Sequence, residues 1–344
     1  MMKAYLEALA NGENLGVSEM SEAAGLLFED SISDSEIAAL LMGLKMKGET
    51  SEEIAGFVEA LRRHALPFSK SYSDIMDNCG TGGDGSHSFN ISTTSAFVLA
   101  GAGLKVAKHG NRSVSSKTGS ADVLDALGVA LNFTVDEVDA LLAENGIAFL
   151  FAPHVHPKIK RIMKVRQDLK VPTVFNLLGP LINPVELETQ LLGIYQREGL
   201  EMMAQALHHL GRKRAVVLNG AGFMDEASLA GENHAILLAD GELQRFTVHP
   251  EEVGLNTYPL EAIRGGNAQE NADILLRVLQ GEKGAQYETV LLNTSLALLA
   301  HGTIDELKEG IELARESIQS GAALSKLNYL IEYSQKRAKG AKEA

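Results

Sequence analysis

Hydrophobic residues recur every three to four positions through roughly the first seventy residues, the spacing of helices that bury one face. Ile37, Leu40, Leu41 and Leu44 follow Ser33-Asp34-Ser35-Glu36, a capping box, and Gly48 supplies a stop. A second box, Thr50-Ser51-Glu52-Glu53, opens Ile54, Phe57, Val58 and Leu61 at the same spacing, and Pro67 ends that helix. Residues 1–70 therefore predict helices only. From about residue 74 the pattern changes to short β-rich runs, at 105–107, 147–151, 191–195 and 215–218, separated by helical stretches. Strands alternating with helices predict an α/β sheet with parallel pairs. Asp240-Gly241 between the apolar runs 235–238 and 243–246 predicts a hairpin, which makes the sheet mixed. Further helices are predicted over 272–279, 287–300 and 304–317, and residues 334–344 read as a fraying polar tail. No internal repeat or low-complexity linker interrupts this order.

Composition narrows the function. With 344 residues and 45% hydrophobic content the chain can bury a sizeable core, and its length suggests about two domains on the usual scale of roughly 150 residues each. A formal charge of -14, from 45 acidic and 31 basic residues, argues against a protein that grips nucleic acid. The absence of Trp and an aromatic content of 5% argue against a base-stacking surface. Cys79 is the only cysteine, so an internal disulfide is excluded. No hydrophobic region of signal-peptide form precedes Asn11-Gly12-Glu13-Asn14, and the run 291–300 is interrupted by Asn293, Thr294 and Ser295. A cytoplasmic protein without membrane spans is expected.

Against this acidic background one interval stands apart. Between Asp84 and Asp122 there is no carboxylate, while Lys105, Lys108, Arg112 and Lys117 collect there. Clearing carboxylates from one segment makes room for a polyanion, and a phosphorylated small molecule is the expected ligand. Gly80-Thr81-Gly82-Gly83-Asp84-Gly85 follows a strand predicted over 74–78 and precedes a helix starting near Ser92. Glycines there let backbone amides form an anion nest, although the run fits neither the P-loop nor the GxGxxG pattern. Asn90-Ile91-Ser92-Thr93-Thr94 adds an amide and hydroxyls at a helix start. Lys108-His109-Gly110-Asn111-Arg112 leaves the apolar run at 106–107, hence the carboxyl end of a strand, where open α/β sheets bind ligands; Ser113, Ser115, Ser116 and Ser120 extend the hydroxyl supply.

These motifs, with Gly119-Ser120-Ala121-Asp122, Phe175-Asn176-Leu177-Leu178-Gly179-Pro180 and Asp225-Glu226, resemble in order those of the anthranilate phosphoribosyltransferases, a family that shares its fold with pyrimidine nucleoside phosphorylases. The resemblance implies a small all-helical domain, residues 1–70 plus a helical piece at about 166–185. A larger α/β domain with a mixed, mostly parallel central sheet takes 71–165 and 186–344, the cleft lying between them. It implies transfer of the phosphoribosyl group of 5-phosphoribosyl 1-diphosphate (PRPP) to the amine of anthranilate, releasing diphosphate, in tryptophan biosynthesis, with two magnesium ions per site. The implied PRPP set is Gly80, Gly83, Asp84, Ser88, Asn90, Ile91, Ser92 and Thr93, then Lys108, His109, Gly110, Asn111, Arg112, Ser113, Val114, Ser115, Ser116 and Ser120. Ser92 with Glu226 would meet one magnesium and Asp225 with Glu226 the other. Anthranilate would meet Gly80 and Asn111 at an inner position and the Arg166 guanidinium at an outer one, with His109 and His154 nearby.

Lys158, Lys160, Arg161, Lys164 and Arg166 share one amphipathic helical stretch, where a charge run is ordinarily a solvated face, and of these only Arg166 is singled out. Ser88 stands where many relatives have Thr. The resemblance also implies a homodimer joined through the helical domain. No GxSxG elbow, activated cysteine or general base is identifiable, so positioning and charge stabilisation are expected to carry the rate. Two rivals remain open at this point: a pyrimidine nucleoside phosphorylase, and a non-catalytic relative that binds nucleic acid. The acidic composition and the Asp225-Glu226 pair oppose the second.

Overall fold

A computed structural model describes residues 1–68, 72–113 and 118–343. Four helices come first: α1 (Met2–Ala10), α2 (Val17–Leu26), α3 (Asp34–Lys47) and α4 (Ser51–Arg63). Both predicted capping boxes form. Ser33 Oγ accepts from the Glu36 amide at 3.2 Å and Thr50 Oγ1 from the Glu53 amide at 3.2 Å, so each helix start has its free donors satisfied. Glu53 is buried, and its carboxylate is held by the Thr50 and Leu15 amides and by Lys47 at 2.9 Å. One residue thereby caps α4 and ties down the chain before α2. The helix α4 stops at Arg63, ahead of Pro67.

The α/β part is built on seven strands: β1 (Ile75–Gly80), β2 (Lys105–Gly110), β3 (Ile147–Phe151), β4 (Thr189–Gly193), β5 (Arg214–Asn219), β6 (Asn233–Ala239) and β7 (Glu242–Val248). Their order across the sheet is β3-β2-β1-β4-β5-β6-β7. The first five run parallel and the last two antiparallel, so the sheet is mixed and mostly parallel as expected. The predicted hairpin lies at Asp240-Gly241, where φ values of +52° and +81° give the turn that suits strand twist. Because β1 pairs with β2 on one side and β4 on the other, the order reverses between β1 and β4, the switch point where ligands bind in open sheets.

Helices cover both faces. On one, α5 (Ile91–Gly101) and α13 (Ala285–His301) are buried almost all round, which explains why, Glu288 aside, neither carries an Asp, Glu, Lys or Arg. On the other lies α11 (Leu200–His209). Strand alternation sorts the side chains: Val217 and Leu192 point to the α11 side, Val216, Leu218 and Leu191 to the α5–α13 side. The N-terminal helices share one continuous core with α11 and with Ile162, Val165, Phe175 and Leu178, so the helical part leans on the sheet instead of standing apart. The segment 166–185 holds the end of α9 (Lys160–Leu169), the short α10 (Phe175–Leu178) and a 3-10 turn at Gly179–Leu181, the three intervening helices being α6 (Ser120–Ala126), α7 (Val135–Glu144) and α8 (Ala152–Val155).

The carboxyl-terminal end departs from expectation. Helices α12 (Ala268–Leu279) and α14 (Leu307–Gln319) form where predicted, but 334–343 is not a frayed tail: α15 runs from Ala322 to Glu343. Ser334 is buried and accepts from the Ala130 amide at 2.9 Å, while Arg337 pairs with Glu137 at 2.8 Å and donates to Asn132. Polar residues here meet backbone groups of the 130–132 segment and the Phe133 ring, so hydrophobicity alone hides the docking. Removing residues 333–344 should therefore destabilise the protein by on the order of 2 kcal/mol, from a lost aromatic contact and buried hydrogen bonds. A thermal melt should show a drop of several degrees; an unchanged midpoint would mean the end is a tail after all.

Candidate active site

Three glycines stand at the carboxyl ends of adjacent parallel strands, and one loop lies across all of them. Gly80 of β1 pairs in register with Gly193 of β4, and Gly220 follows β5 directly. A Cβ on Gly80 would fall 2.2 Å from Asp225 Oδ2, one on Gly193 1.6 Å from the Asp225 carbonyl, and one on Gly220 2.0 Å from the Glu226 carbonyl. Only hydrogen fits between the strand ends and this loop. The loop turns at Gly222 and Phe223, with φ of +82° and +61°, and closes through the Gly220 amide on the Met224 carbonyl at 2.8 Å. Buried Asn293 and Asn233 then fix the chain beyond it, accepting from the Ala227 and Ser228 amides. Asp225 and Glu226 are thus delivered to the switch point by backbone packing.

The glycine run opposite forms the predicted nest. Gly82, Gly83 and Gly85 have φ of +71°, +81° and +71°, and a Cβ on Gly82 or Gly85 would meet open space, so backbone conformation and not crowding requires glycine there. The Gly82 amide donates to Asp225 Oδ2 at 2.6 Å, and Asp84 accepts from Ser86 while lying 3.4 Å from the Asp225 amide. At the start of α5 the Ser92 amide donates to Glu226 Oε1 at 3.2 Å. Asn90 is steered from outside the motif: its Oδ1 accepts from Asn271 Nδ2 at 2.8 Å, and Asn271 itself takes the Gly266 amide at 2.7 Å. Ser88 sits in a β-bridge with Arg264. Thr93 Oγ1 and Asn78 Oδ1 are buried beneath without a protein partner.

Electrostatics mark the carboxylates. Burial, then Glu226 and Asp84, pushes Asp225 well above the usual carboxylate range; burial raises Glu226 to about 7 against the opposing pull of Lys108. Buried acids crowded in this way favour positive charge among them. The donor set is all oxygen, the chemistry of Mg²⁺. Mg²⁺ typically keeps several waters and shares a substrate's phosphates, so a few protein oxygens are enough for it. Asp225, Glu226 and the Ser92 hydroxyl fit such an ion.

Lys108 is buried with its Nζ 3.9 Å from Asp77 Oδ1 and 3.3 Å from the His109 carbonyl, under the carboxylates and not out in solvent. Burial works against its ammonium, but the neighbouring Cys79, Asp77 and Glu226 outweigh it and raise its pKa. Since burial also pushes the Cys79 thiol up to about 12, the thiol is uncharged near neutrality and the two carboxylates supply the attraction. Asp77 in turn accepts from Asn183 Nδ2 at 3.1 Å, which also donates to the Ala107 carbonyl.

The second anion loop leaves β2 at Gly110, where a Cβ would strike Ser120 Oγ at 2.2 Å. Ser120 Oγ accepts from the Asn111 amide at 3.2 Å. Arg112, expected among the ligand cations, is engaged: its guanidinium pairs with Asp122 at 2.7 Å and Asp125 at 2.9 Å. Asp122 also takes the Ser113 and Gly119 amides, so it gathers both ends of the loop. Val114, Ser115 and Ser116 lie outside the described residues.

On the acceptor side the basic helix divides. Arg161 and Lys164 pair with Asp34 of α3 at 2.9 and 3.4 Å. Arg166 lies over the Phe175 ring at 4.8 Å and reaches Asn176 Oδ1 at 3.5 Å; among the described residues no carboxylate pairs with it. His154 has its Nε2 3.0 Å from the Phe133 carbonyl. The histidine that meets His109 is His156, two residues on: both are buried, their rings meet edge to face at 5.6 Å, and neither Nε2 has a protein partner. A Phe-Ala-Pro-His-Val-His run gives no period that tells the two apart, because the chain turns there from β3 into α8. Burial holds His156 at about 4 and His109 well below the ordinary value, so both are neutral near pH 7. Sequence reading also missed Asn183 and Asn271, which act from distant segments.

The chain matches two family descriptions in series: "Glycosyl transferase family, helical bundle domain" over residues 3–65 and "Glycosyl transferase family, a/b domain" over 72–324. It is 61% identical to an anthranilate phosphoribosyltransferase of Exiguobacterium sibiricum, over 98% of this chain and 100% of that protein. A crystal structure of the anthranilate phosphoribosyltransferase of Thermus thermophilus superposes with a TM-score of 0.91 at 41% identity, covering 96% of this chain and 99% of the other. The Saccharomyces cerevisiae anthranilate phosphoribosyltransferase in complex with PRPP and Mg superposes with a TM-score of 0.88 at 29% identity, covering 97% and 98%.

Two outcomes are expected. Gly193→Ala should displace the Asp225 backbone and abolish divalent-metal response in a thermal-shift assay, whereas Gly82→Ala should cost only about 1–2 kcal/mol of backbone strain. Equal melting curves for both variants would refute the packing argument. For His156, the depressed folded pKa means stability is present above the unfolded value near 6.5 and is lost as pH falls toward about 4. The loss should be on the order of 3 kcal/mol, seen as a steeper acid-side fall in urea midpoints for the parent than for His156→Gln.

Proposed function

This chain belongs to the anthranilate phosphoribosyltransferases, and from that premise we propose that its site joins anthranilate to the phosphoribosyl group of PRPP, releasing diphosphate, in tryptophan biosynthesis. The observation that carries the reading is the convergence at one switch point of an amide nest, a helix start and two buried carboxylates, beside a helix with one unpaired guanidinium.

The amides of 82–85 and the start of α5 are suited to the phosphates of PRPP. Asp225, Glu226 and Ser92 would hold Mg²⁺, two ions by family resemblance, and the metal supplies charge neutralisation for the diphosphate. Breaking the C1 to diphosphate bond leaves positive charge on the ribose and negative charge on the leaving group, as in glycoside chemistry. Lys108, lying under Asp77 and Glu226, keeps this acidic floor from repelling the departing anion. Gly80 and Asn111 would hold the amine near C1, and Arg166, whose guanidinium touches only Met163 Sδ and Asn176 Oδ1 besides the Phe175 ring among the described residues, would take the anthranilate carboxylate. Neutral His109 and His156 pack edge to face between the end of β2 and the segment entering α9. No general base is assigned; the reading rests on positioning and charge.

We also infer a homodimer through the helical part. Met46 is 80% exposed beside an apolar groove formed by Leu9, Ala10, Met42 and Gly43 of α1 and α3, a surface that a second copy would cover. Among the described residues no helix is long and apolar enough to cross a membrane.

Diphosphate release with anthranilate and PRPP should require magnesium, and Asp225→Ala/Glu226→Ala should abolish it with the fold retained by circular dichroism. Near-normal turnover in that double variant would remove the metal assignment. Arg166→Ala should raise the anthranilate KM by roughly 10- to 100-fold, the worth of a charge-assisted pair, while leaving the PRPP KM nearly unchanged; equal effects on both would count against it. Met46→Glu should shift the sedimentation coefficient toward that of a monomer.

A further inference from the structure

The loop that delivers Asp225 and Glu226 carries at its tip a residue that the chemistry described so far does not use. Phe223 is 56% exposed, and it adopts φ of +61°, a conformation that bulky side chains avoid. An exposed ring in a strained backbone state is costly twice over unless something holds it. The structure supplies that contact: the Arg197 guanidinium lies over the ring, 4.9 Å from its centroid. Arg197 is itself held, since its Nε donates to Asn219 Oδ1 at 2.9 Å. Asn219 is fully buried at the end of β5, and its amide donates to the Ile194 and Tyr195 carbonyls at 2.9 and 3.1 Å.

This chain of contacts has two ends in the site. Tyr195 lies against the glycine nest, where a Cβ on Gly83 would meet its ring at 3.8 Å. Phe223 is next to Met224, whose carbonyl closes the loop on Gly220, and Asp225 follows. Arg197 and Asn219 therefore connect the wall of the nest to the tip of the carboxylate loop. The Gly82 amide bridges nest and carboxylate directly, and Arg197 with Asn219 braces the same two segments from outside. We propose that Arg197 and Phe223 are positioning residues, a cation–π latch that holds the carboxylate loop in register with the anion nest so that metal and diphosphate bind together. This rests on the reading of the site given above, and neither residue need touch the substrate.

The test compares Arg197→Ala, Phe223→Leu, the double variant and the conservative Phe223→Tyr with the parent. Amide hydrogen exchange of residues 220–226 in the ligand-free protein should rise in both single variants. Calorimetric affinity for PRPP with Mg²⁺ should fall roughly two- to fivefold in each, the factor an exposed cation–π contact supplies, and the double variant should fall no further than the worse single. The anthranilate KM should stay within error of the parent, and Phe223→Tyr should restore both readouts. Unchanged exchange and affinity in the singles, additive losses in the double, or a change confined to the anthranilate KM would each overturn the latch. If the parent itself binds no PRPP, the functional reading fails, while the exchange arm still decides whether the ring and guanidinium hold the loop. Should Phe223→Leu not fold, Arg197→Ala, altered on a surface turn, carries the same comparison.

Discussion

The constraint on which this molecule is organised is steric: nothing larger than hydrogen fits at three consecutive strand ends, because a loop bearing two acids is pressed onto them. Gly80, Gly193 and Gly220 carry no flexible-hinge role here; they create a flat shelf, and the main chain of 225–226 occupies it. Everything else at the switch point follows. The carboxylates lose solvent and crowd each other, so they call for positive charge, and Lys108 answers from below while a metal suits the open side. The amides of the glycine nest and of α5 are turned toward the same acids. A catalytic arrangement that looks electrostatic is held in place by packing.

Much of this was legible in the chain itself. The capping boxes at Ser33 and Thr50, the hairpin at Asp240-Gly241 and the glycine nest each depend on residues within a few positions of one another, and local rules describe them well. What escaped depends on distant partners. Arg112 reads as a free cation in a basic loop, yet Asp122 and Asp125, ten and thirteen residues on, claim it. Lys108 reads as a cation for the phosphates at the end of β2, but its buried ion pair with Asp77 of the neighbouring strand is not visible from its own motif. The resemblance names His154 with His109 near the acceptor and does not single out His156, and the bend from β3 into α8 is what sets His156 against the His109 ring and His154 against the Phe133 carbonyl. The last helix looked like a tail because its contacts are polar and lie on a loop two hundred residues earlier in the chain, as Ala130 with Ser334 illustrates.

The helical part and the sheet are also less separable than their family descriptions imply. Arg62 of α4 is partly buried and reaches the Leu181 carbonyl, Arg161 spans from α9 to Asp34, and the Leu66 amide bonds the Val155 carbonyl. Further in, Arg212 and Gln190 fasten the 180–187 segment to the sheet through the Pro180 and Leu187 carbonyls. The connection beneath Arg166 is therefore stiff, and the guanidinium is presented from a platform braced on both sides.

The carboxylate of Glu226 resting on the first turn of α5 has one more effect. It means the helix dipole is never bare: before any guest arrives, the Ser92 amide is already satisfied by an internal anion. A phosphate that takes the neighbouring amides of this first turn arrives beside a resident acid, so its charge is tolerated there only with a cation between the two, and the binding of phosphate and of metal are tied to one another.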